Sequence, residues 1–530
     1  MQLVKYLCLF IVISLAACAQ QRLTVDDAPV LTLVHLNDTY RIDAVEDGQR
    51  GGFGRVVTLL EEYGQDGRDV RLMHGGDFLY PSLESQLWNG QQMIEAFNFM
   101  DAIAPMVVVP GNHEFDRRSP DALIDAVNQS NIDWVGDNLR FMTGNQAVDQ
   151  RMQHRYVMEA GGLRIGVLGL TLHARDDGNA RDYIEIDRNY VAVAERTLAY
   201  FEAQSVDLVI GLTHLHLDLD RKIAALKAKY PKLMLVAGGH EHEPEFEAGD
   251  TTRATIVKGA SNARTVWAID VYRDQEGQVE LQTRRIAIDE RISSDSEYGE
   301  ITDRWRRQLL EKIPFLEAQL GEAAVPLDSR ETAVRNEESN WGVFIADQMR
   351  GAFGEPAQLA FVNGGTLRID DYIIGDITFE DVGRTFGFSS FLRQMKINGA
   401  DFKTLLEAGY RGTGPSKGYF PQISGFRVCV DRSRPNGQRI VSLQVPADAG
   451  WQEIDPDTEY TLVAPDYLYR GGDGYVFDAA TDVSPAGSEL KYLVVDAIIR
   501  AQAQEQQVGR ATDPDNLRIV ILGKDRTTCW

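Results

Sequence analysis

Met106-Val107-Val108-Val109-Pro110-Gly111-Asn112-His113-Glu114-Phe115-Asp116 is an apolar run of strand length. It breaks at Pro-Gly into a segment carrying an amide, an imidazole and two carboxylates. The same order, apolar strand and then a polar loop, recurs on both sides of it. Leu31–Leu36 and residues 70–73, 165–170, 208–212 and 233–237 are further apolar runs of strand length. Helical spacing lies between them at 54–63, 189–204 and 219–229. Such alternation predicts an α/β domain over residues 30–289. The last strand candidate, 265–272, leads into a polar stretch.

Residues 293–319 are rich in Glu, Arg, Asp and Leu at helical spacing and read as a helix joining two domains, within a connecting region 290–325. A second domain, 326–530, mixes helical patterns (341–350, 399–408, 489–505) with strands (425–430, 440–444, 460–464), which predicts α+β. The chain of 530 residues suits two domains of roughly 200–300 residues each. Its 44% apolar and 25% charged residues are those of a soluble globular protein. The net charge of −25 argues against a nucleic-acid polymer as partner, because phosphate-backbone binding needs a basic surface. A small phosphorylated ligand is still permitted, since a bound cation inverts the local potential.

Five short segments of the first domain carry candidate metal donors, each where an apolar strand ends. They are Asn37-Asp38-Thr39-Tyr40, His74-Gly75-Gly76-Asp77, Gly111-Asn112-His113-Glu114-Phe115-Asp116, Thr213-His214 and Gly238-Gly239-His240-Glu241-His242. Side chains from separate strand ends converge on one edge of a sheet. Carboxylate, imidazole and amide oxygen together suit Mn, Zn, Fe or Co better than Ca. Asp38, Asp77 or His214 taken alone is an ordinary turn or strand-end residue; the five together in this order are not. The remaining histidines, His35, His74, His154, His173 and His216, are assigned to packing or to the surface.

The second domain carries its own constellation. Arg335 precedes a helix, and Asn363-Gly364-Gly365-Thr366-Leu367-Arg368 follows an apolar run. Phe386-Gly387-Phe388 and Tyr467-Leu468-Tyr469-Arg470-Gly471-Gly472-Asp473 add aromatics, a carboxylate and glycine-rich turns. Two aromatic faces can grip a flat base, a carboxylate can accept from a ribose diol, and arginine forks suit phosphate and sugar oxygens.

These motifs resemble the 5′-nucleotidase family, in which a calcineurin-like metallophosphoesterase domain precedes a C-terminal nucleotide-binding domain. The resemblance covers nearly the whole chain after residue 29. It implies an N-terminal sandwich of two sheets flanked by helices, a joining helix and an α+β C-terminal domain that moves between open and closed arrangements. It also implies two divalent ions about 3.5–4 Å apart. Asp77 would bridge them, Asn112, His214 and His240 would complete one site, and Asp38 and His242 would bind the other. By the same resemblance His113 stabilises the transition state with Asp116 orienting it. Phe388 and Tyr467 sandwich the base, Asp473 holds the ribose, and Arg335, Asn363 and Arg368 contact the nucleotide. The sequence departs from the family at Tyr40, where the family has a histidine ligand. Extra water, a Tyr40 phenolate, Asp43 or Glu46 are the substitutes the sequence leaves open.

Lys5, an apolar stretch too short to span a bilayer, and Leu15-Ala16-Ala17-Cys18 form a leader over residues 1–17. Its end resembles the bacterial lipobox, with Cys18 lipidated, a tether over 18–29 and a periplasmic enzyme anchored to the outer membrane by lipid alone. Cys429 and Cys529 then remain and can pair in an oxidising compartment. The expected activity is metal-dependent hydrolysis of nucleoside 5′-monophosphates. Its rivals are 2′,3′-cyclic-nucleotide phosphodiesterase or UDP-sugar hydrolase activity on the same scaffold, and nucleotide binding with weakened catalysis.

Overall fold

Leu31–Leu36 is buried at every position because it has a core on both faces. Successive strand residues point to opposite sides. Leu31 and Leu33 enter one core with Ile165, Val167, Leu208, Ile210 and Leu235; Val34 and Leu36 enter another with Phe53, Val56, Phe97 and Trp305. The first of these cores lies between two sheets. The computed structural model describes residues 28–173, 181–412, 417–448, 450–523 and 526–530; the leader and Cys18 lie outside the described residues.

The first sheet has seven strands in the order Val279–Ala287, Thr265–Arg273, Leu31–Leu36, Asp69–His74, Met106–Val108, Asp133–Val135 and Met152–Gln153. The second has six, ordered Glu245–Glu247, Thr255–Lys258, Leu233–Gly238, Leu208–His214, Leu163–Thr171 and Tyr156–Ala160. Their central strands run parallel, so their C-terminal ends share one edge. Helices Phe53–Gly64 and Gln91–Ile103 cover the outer face of the first sheet, and Tyr190–Ala203 and Leu217–Ala224 that of the second.

Two readings of the sequence are corrected. The polar stretch after residue 273 is a strand, Val279–Ala287, paired along its whole length with Thr265–Arg273. It is the sheet's edge and only half buried, so its sequence lacks an apolar run. The joining helix is shorter than 293–319, running from Ser296 to Lys312 with Asp295 as its N-cap, and Pro314 follows its end. It is no free hinge, since Tyr298, Ile301 and Trp305 bury against the first domain.

Beyond it, Leu392–Asn398, Glu459–Pro465, Leu359–Asn363 and Pro421–Ser424 form one four-stranded sheet. Gly450–Glu453, Ile440–Ala447, Arg427–Asp431 and Ile519–Leu522 form another. Helices Asn340–Met349 and Leu490–Ala503 pack on the former. A disulfide joins Cys429 to Cys529.

Candidate active site

The loops that leave the shared sheet edge are held in a conformation that ordinary side chains rarely adopt. Asp38 (φ 53°), Asp77 (φ 60°), His240 (φ 85°) and His242 (φ 65°) all lie in the left-handed region. Such strain persists only where the surroundings over-determine it, and it concentrates at functional sites. The packing is close enough to require glycine nearby. A Cβ on Gly111 would lie 2.1 Å from Asp77 Oδ1, and one on Gly239 would lie 2.3 Å from Gly75 O.

Asp77, His214 and His240 each offer a ligand atom within 4.8 Å of the others, enough to hold a metal ion. His214 Nε2 is 3.2 Å from Asp77 Oδ2 and 3.2 Å from Asn112 Oδ1, so Asn112 joins the group. His214 Nδ1 lies 2.6 Å from Gly75 O; donating there leaves Nε2 free to face the group. Burial opposes a charge on His214, yet Asp77 and Asp38 hold its pKa up to about 10, so this corner draws positive charge. Burial and the nearby His216 and His214 keep His240 neutral, the form a metal binds. The donors present therefore fit a divalent ion.

Asp38 and His242 stand beside this group. Asp38 Oδ2 accepts from His240 N (2.7 Å) and Asn37 Nδ2 (2.7 Å), and Asp38 Oδ1 is 3.2 Å from His242 Nε2. The Tyr40 hydroxyl reaches in among them, 3.0 Å from His242 Nε2 and 3.5 Å from both Asp38 Oδ1 and Asp77 Oδ2. Burial, then Asp77 and Asp38, raise its pKa well above 10. Of the other substitutes, Asp43 is bound by Arg41 at 2.9–3.0 Å and Glu46 faces Arg264 at 3.7 Å.

His113 is held by its backbone N–H to Asp77 Oδ1 (2.8 Å) and by Nδ1 against Asp116 Oδ2 (2.8 Å). Its Nε2 lies 3.9 Å from Asp77 Oδ2 and 3.4 Å from Arg368 Nη2. The Phe388 ring packs 5.7 Å from the His113 ring, and the Arg368 guanidinium covers both Tyr40 and Phe388. Arg368 and Phe388 thus come from the second domain into the first domain's edge. Asn363, Tyr467 and Asp473 form a separate cluster: Asp473 accepts from Asn363 Nδ2 (2.8 Å) and from the Tyr467 hydroxyl (3.1 Å). Gly365, whose carbonyl accepts from Arg368 Nε at 2.7 Å, ties that cluster to the edge. Tyr467 is 45% exposed. Arg335 is buried and points at Glu331.

Three buried charges escaped the sequence reading. Glu114 gathers the backbone N–H groups of Asp77 (3.0 Å), Phe78 (2.7 Å), Leu79 (3.0 Å) and Gly111 (2.5 Å), locking two of the loops together. Its position inside the His113 motif was the available signal. Lys258 is fully buried and ties Asp220 (2.7 Å), Glu241, Leu215 O (2.7 Å) and Gly239 O (2.8 Å), bracing the loops of His214 and His240. A lysine ending the apolar run Thr255–Lys258 was the hint. Glu331, in the second domain, accepts from His242 Nδ1 (2.6 Å) and Ser261 Oγ (2.9 Å) and pairs with Arg335; nothing in its local sequence marks it. Of the histidines set aside, His35 and His74 are buried and His154 is exposed. His216 is exposed but lies edge-on to His240, with ring centres 4.4 Å apart.

Residues 31–244 match the calcineurin-like phosphoesterase family and residues 319–482 the 5′-nucleotidase C-terminal domain. The chain is 25% identical over 505 residues to the trifunctional nucleotide phosphoesterase protein YfkN of Bacillus subtilis, covering 87% of this chain but 33% of that relative's length. It is 22% identical over 490 residues to the 5′-nucleotidase of Homo sapiens, covering 84% of each. The solved structure of a 5′-nucleotidase precursor from Thermus thermophilus superposes with a TM-score of 0.79 at 23% identity, over 93% of this chain and 99% of that one.

Proposed function

Because the chain belongs to the 5′-nucleotidase family, joining a calcineurin-like phosphoesterase domain to a 5′-nucleotidase C-terminal domain, we propose that it is a phosphoric monoester hydrolase acting on nucleoside 5′-monophosphates. The observation that carries this reading is the meeting of Arg368 and Phe388 with His113. One domain supplies an aromatic face and a guanidinium within reach of the other domain's phosphate chemistry. The names of the relatives agree on the substrate class, being 5′-nucleotidases, apyrases and a nucleotide phosphoesterase.

In this reading Asp77, Asn112, His214 and His240 hold a divalent ion. When bound, such an ion would supply charge neutralisation for a phosphoryl oxygen and a nucleophilic water at neutral pH. The chain's own groups do the rest. His113, fixed by Asp116, presents Nε2 toward the phosphoryl group and donates to charge that builds there. Arg368 adds its fork of donors on the same side. Phe388 and Tyr467 take the base between them, and Asp473 accepts from the ribose hydroxyls. The exported, lipid-anchored location belongs to the same proposal, and the Cys429–Cys529 bond supports an oxidising compartment.

Phosphate release from a panel of 5′-monophosphates, 2′,3′-cyclic nucleotides, a UDP-sugar and an aryl phosphate, with added Mn²⁺ or Co²⁺, tests the proposal. Preferred turnover of 5′-monophosphates supports it. Turnover of the aryl phosphate alone, or tight nucleotide binding with no turnover, overturns it.

A further inference from the structure

The Tyr40 hydroxyl lies within 3.5 Å of Asp38 Oδ1, Asp77 Oδ2 and His242 Nε2 together, and Tyr40 is only 6% exposed. These are the three donors that a second ion beside the Asp77–His214–His240 group would need. An ion there must approach each donor to about 2.0–2.2 Å. The phenol oxygen already stands among them at hydrogen-bond distance, and its partners are fixed from behind. His242 is held through Nδ1 by Glu331, and Asp38 by the backbone N–H of His240. The three donors therefore have little freedom to spread around both a phenol and an ion.

Charge points the same way. Asp38, Asp77 and Glu331 are the carboxylates that act on the Tyr40 hydroxyl, Asp370 and Glu243 lie behind Glu331 against Arg264, and the second domain brings two guanidinium groups to the corner. Arg335 pairs with Glu331, and Arg368 lies 4.0 Å from Glu331 with its guanidinium 5.5 Å from the centre of the Tyr40 ring. With a divalent ion at Asp77, His214 and His240, the positive charges already offset these carboxylates. A second divalent ion would create an excess in a buried place, which is costly.

Resting on the hydrolase reading above, we propose that this is a one-ion centre in which the Tyr40 hydroxyl fills the place of a second ion. Asp38 and His242 then serve as hydrogen-bond partners that fix Tyr40. The positive charge on that side of the phosphoryl group comes from Arg368. Tyr40 is a positioning residue here, and histidine at position 40 would reopen the place. A histidine Nε2 reaches about 2 Å less far than a tyrosine hydroxyl, about one metal–nitrogen bond.

The full-length protein, stripped of metal, is titrated with Mn²⁺ by calorimetry, and bound metal is counted after dialysis, for wild type, Tyr40→His and Tyr40→Phe. The expected result is one Mn²⁺ per chain in wild type and in Tyr40→Phe, with an uncoupled Mn²⁺ magnetic-resonance spectrum. Tyr40→His is expected to take two, with a spin-coupled spectrum. Two ions in wild type overturn the proposal, and a visible phenolate charge-transfer band after iron loading, lost in Tyr40→Phe, would then make Tyr40 a ligand. One ion in wild type and also in Tyr40→His overturns the role given to Tyr40. No bound ion in wild type removes the hydrolase reading itself, a separate failure. Tyr40→Phe keeps the ring's volume, so its single ion reports an intact fold.

Discussion

Glu331, from the second domain, accepts a 2.6 Å hydrogen bond from Nδ1 of His242, from the first. The same carboxylate pairs with Arg335 and takes the Ser261 hydroxyl, and all of these groups are buried. The donor loops of one domain are thus finished by a side chain of the other, so seating the domains and ordering the site are one event. Removing one member of a buried pair leaves the other uncompensated, at about 3–5 kcal/mol. Glu331→Ala is expected to lower the urea-unfolding free energy by that amount. Glu331→Gln, which keeps an acceptor for His242, is expected to lose less. Equal loss in both would deny the hydrogen bond any separate share.

Lys258 sits between Asp220 and Glu241 with its ammonium also on two backbone carbonyls. Lys258→Met strands two buried carboxylates and frees the Gly239–His240 loop. A stability loss of about 3–5 kcal/mol is expected, together with weaker Mn²⁺ binding by calorimetry. Unchanged Mn²⁺ affinity in a folded variant would show that the lysine supports the fold and not the donor loop.

His113 and Asp116 are expected to act on turnover and not on substrate affinity. His113→Ala should lower kcat by about 10²–10⁴-fold. Asp116→Asn should cost less, since the histidine remains and only its anchor at 2.8 Å weakens. Steady-state kinetics on the best 5′-monophosphate decide it. A change confined to KM would move His113 from chemistry to binding.

Phe388→Ala and Tyr467→Ala should each weaken nucleotide binding by the worth of one stacking face, about 1–3 kcal/mol. That is about 5- to 150-fold in KM. Hydrolysis of an aryl phosphate that is too small to reach both rings should change little at Tyr467, which lies in the cluster with Asn363 and Asp473. Parallel losses on both substrates at Tyr467 would argue for a structural role.

Glu380 links the domains by pairing with Arg306 of the joining helix (2.6 Å) while bound by Arg384 (2.7 Å), which also reaches Glu84 of the first domain (2.7 Å). Burial opposes its ionisation, but Arg384 and Arg306 hold its pKa below the usual glutamate value. A depressed folded-state pKa gives stability that is present above the unfolded value of about 4.3 and lost as pH falls through the folded one. Acidification below about pH 4 should therefore loosen this contact and enlarge the small-angle scattering radius. Glu380→Gln should show the larger radius already at neutral pH. An identical profile for both proteins across that range would remove Glu380 from the domain contact.

Much of this was readable along the chain. Strand Leu31–Leu36 and the runs ending at His74, Val108, His214 and Gly238 are local patterns of apolar residues, and a parallel sheet brings their ends to one edge whatever the details. Donor-type residues just after those runs could be named from order and spacing alone. The edge strand Val279–Ala287 was hidden because half its side chains face water, so periodicity was all it offered. The second-domain cluster was legible as residue types, while its division into a part that meets His113 and a part around Asp473 was not.

By itself, the order of residues determined the two-domain α/β and α+β architecture and the gathering of imidazole, amide and carboxylate at one sheet edge, because burial and backbone geometry act over a few neighbouring residues. Only the tertiary structure decided that Glu331 holds His242, that Lys258 braces the His240 loop, and that the Tyr40 hydroxyl stands among three donors. Those contacts join positions far apart in the chain. A buried charge or hydroxyl takes its partner from whatever the packed core brings within about 3 Å, and no local pattern records that choice.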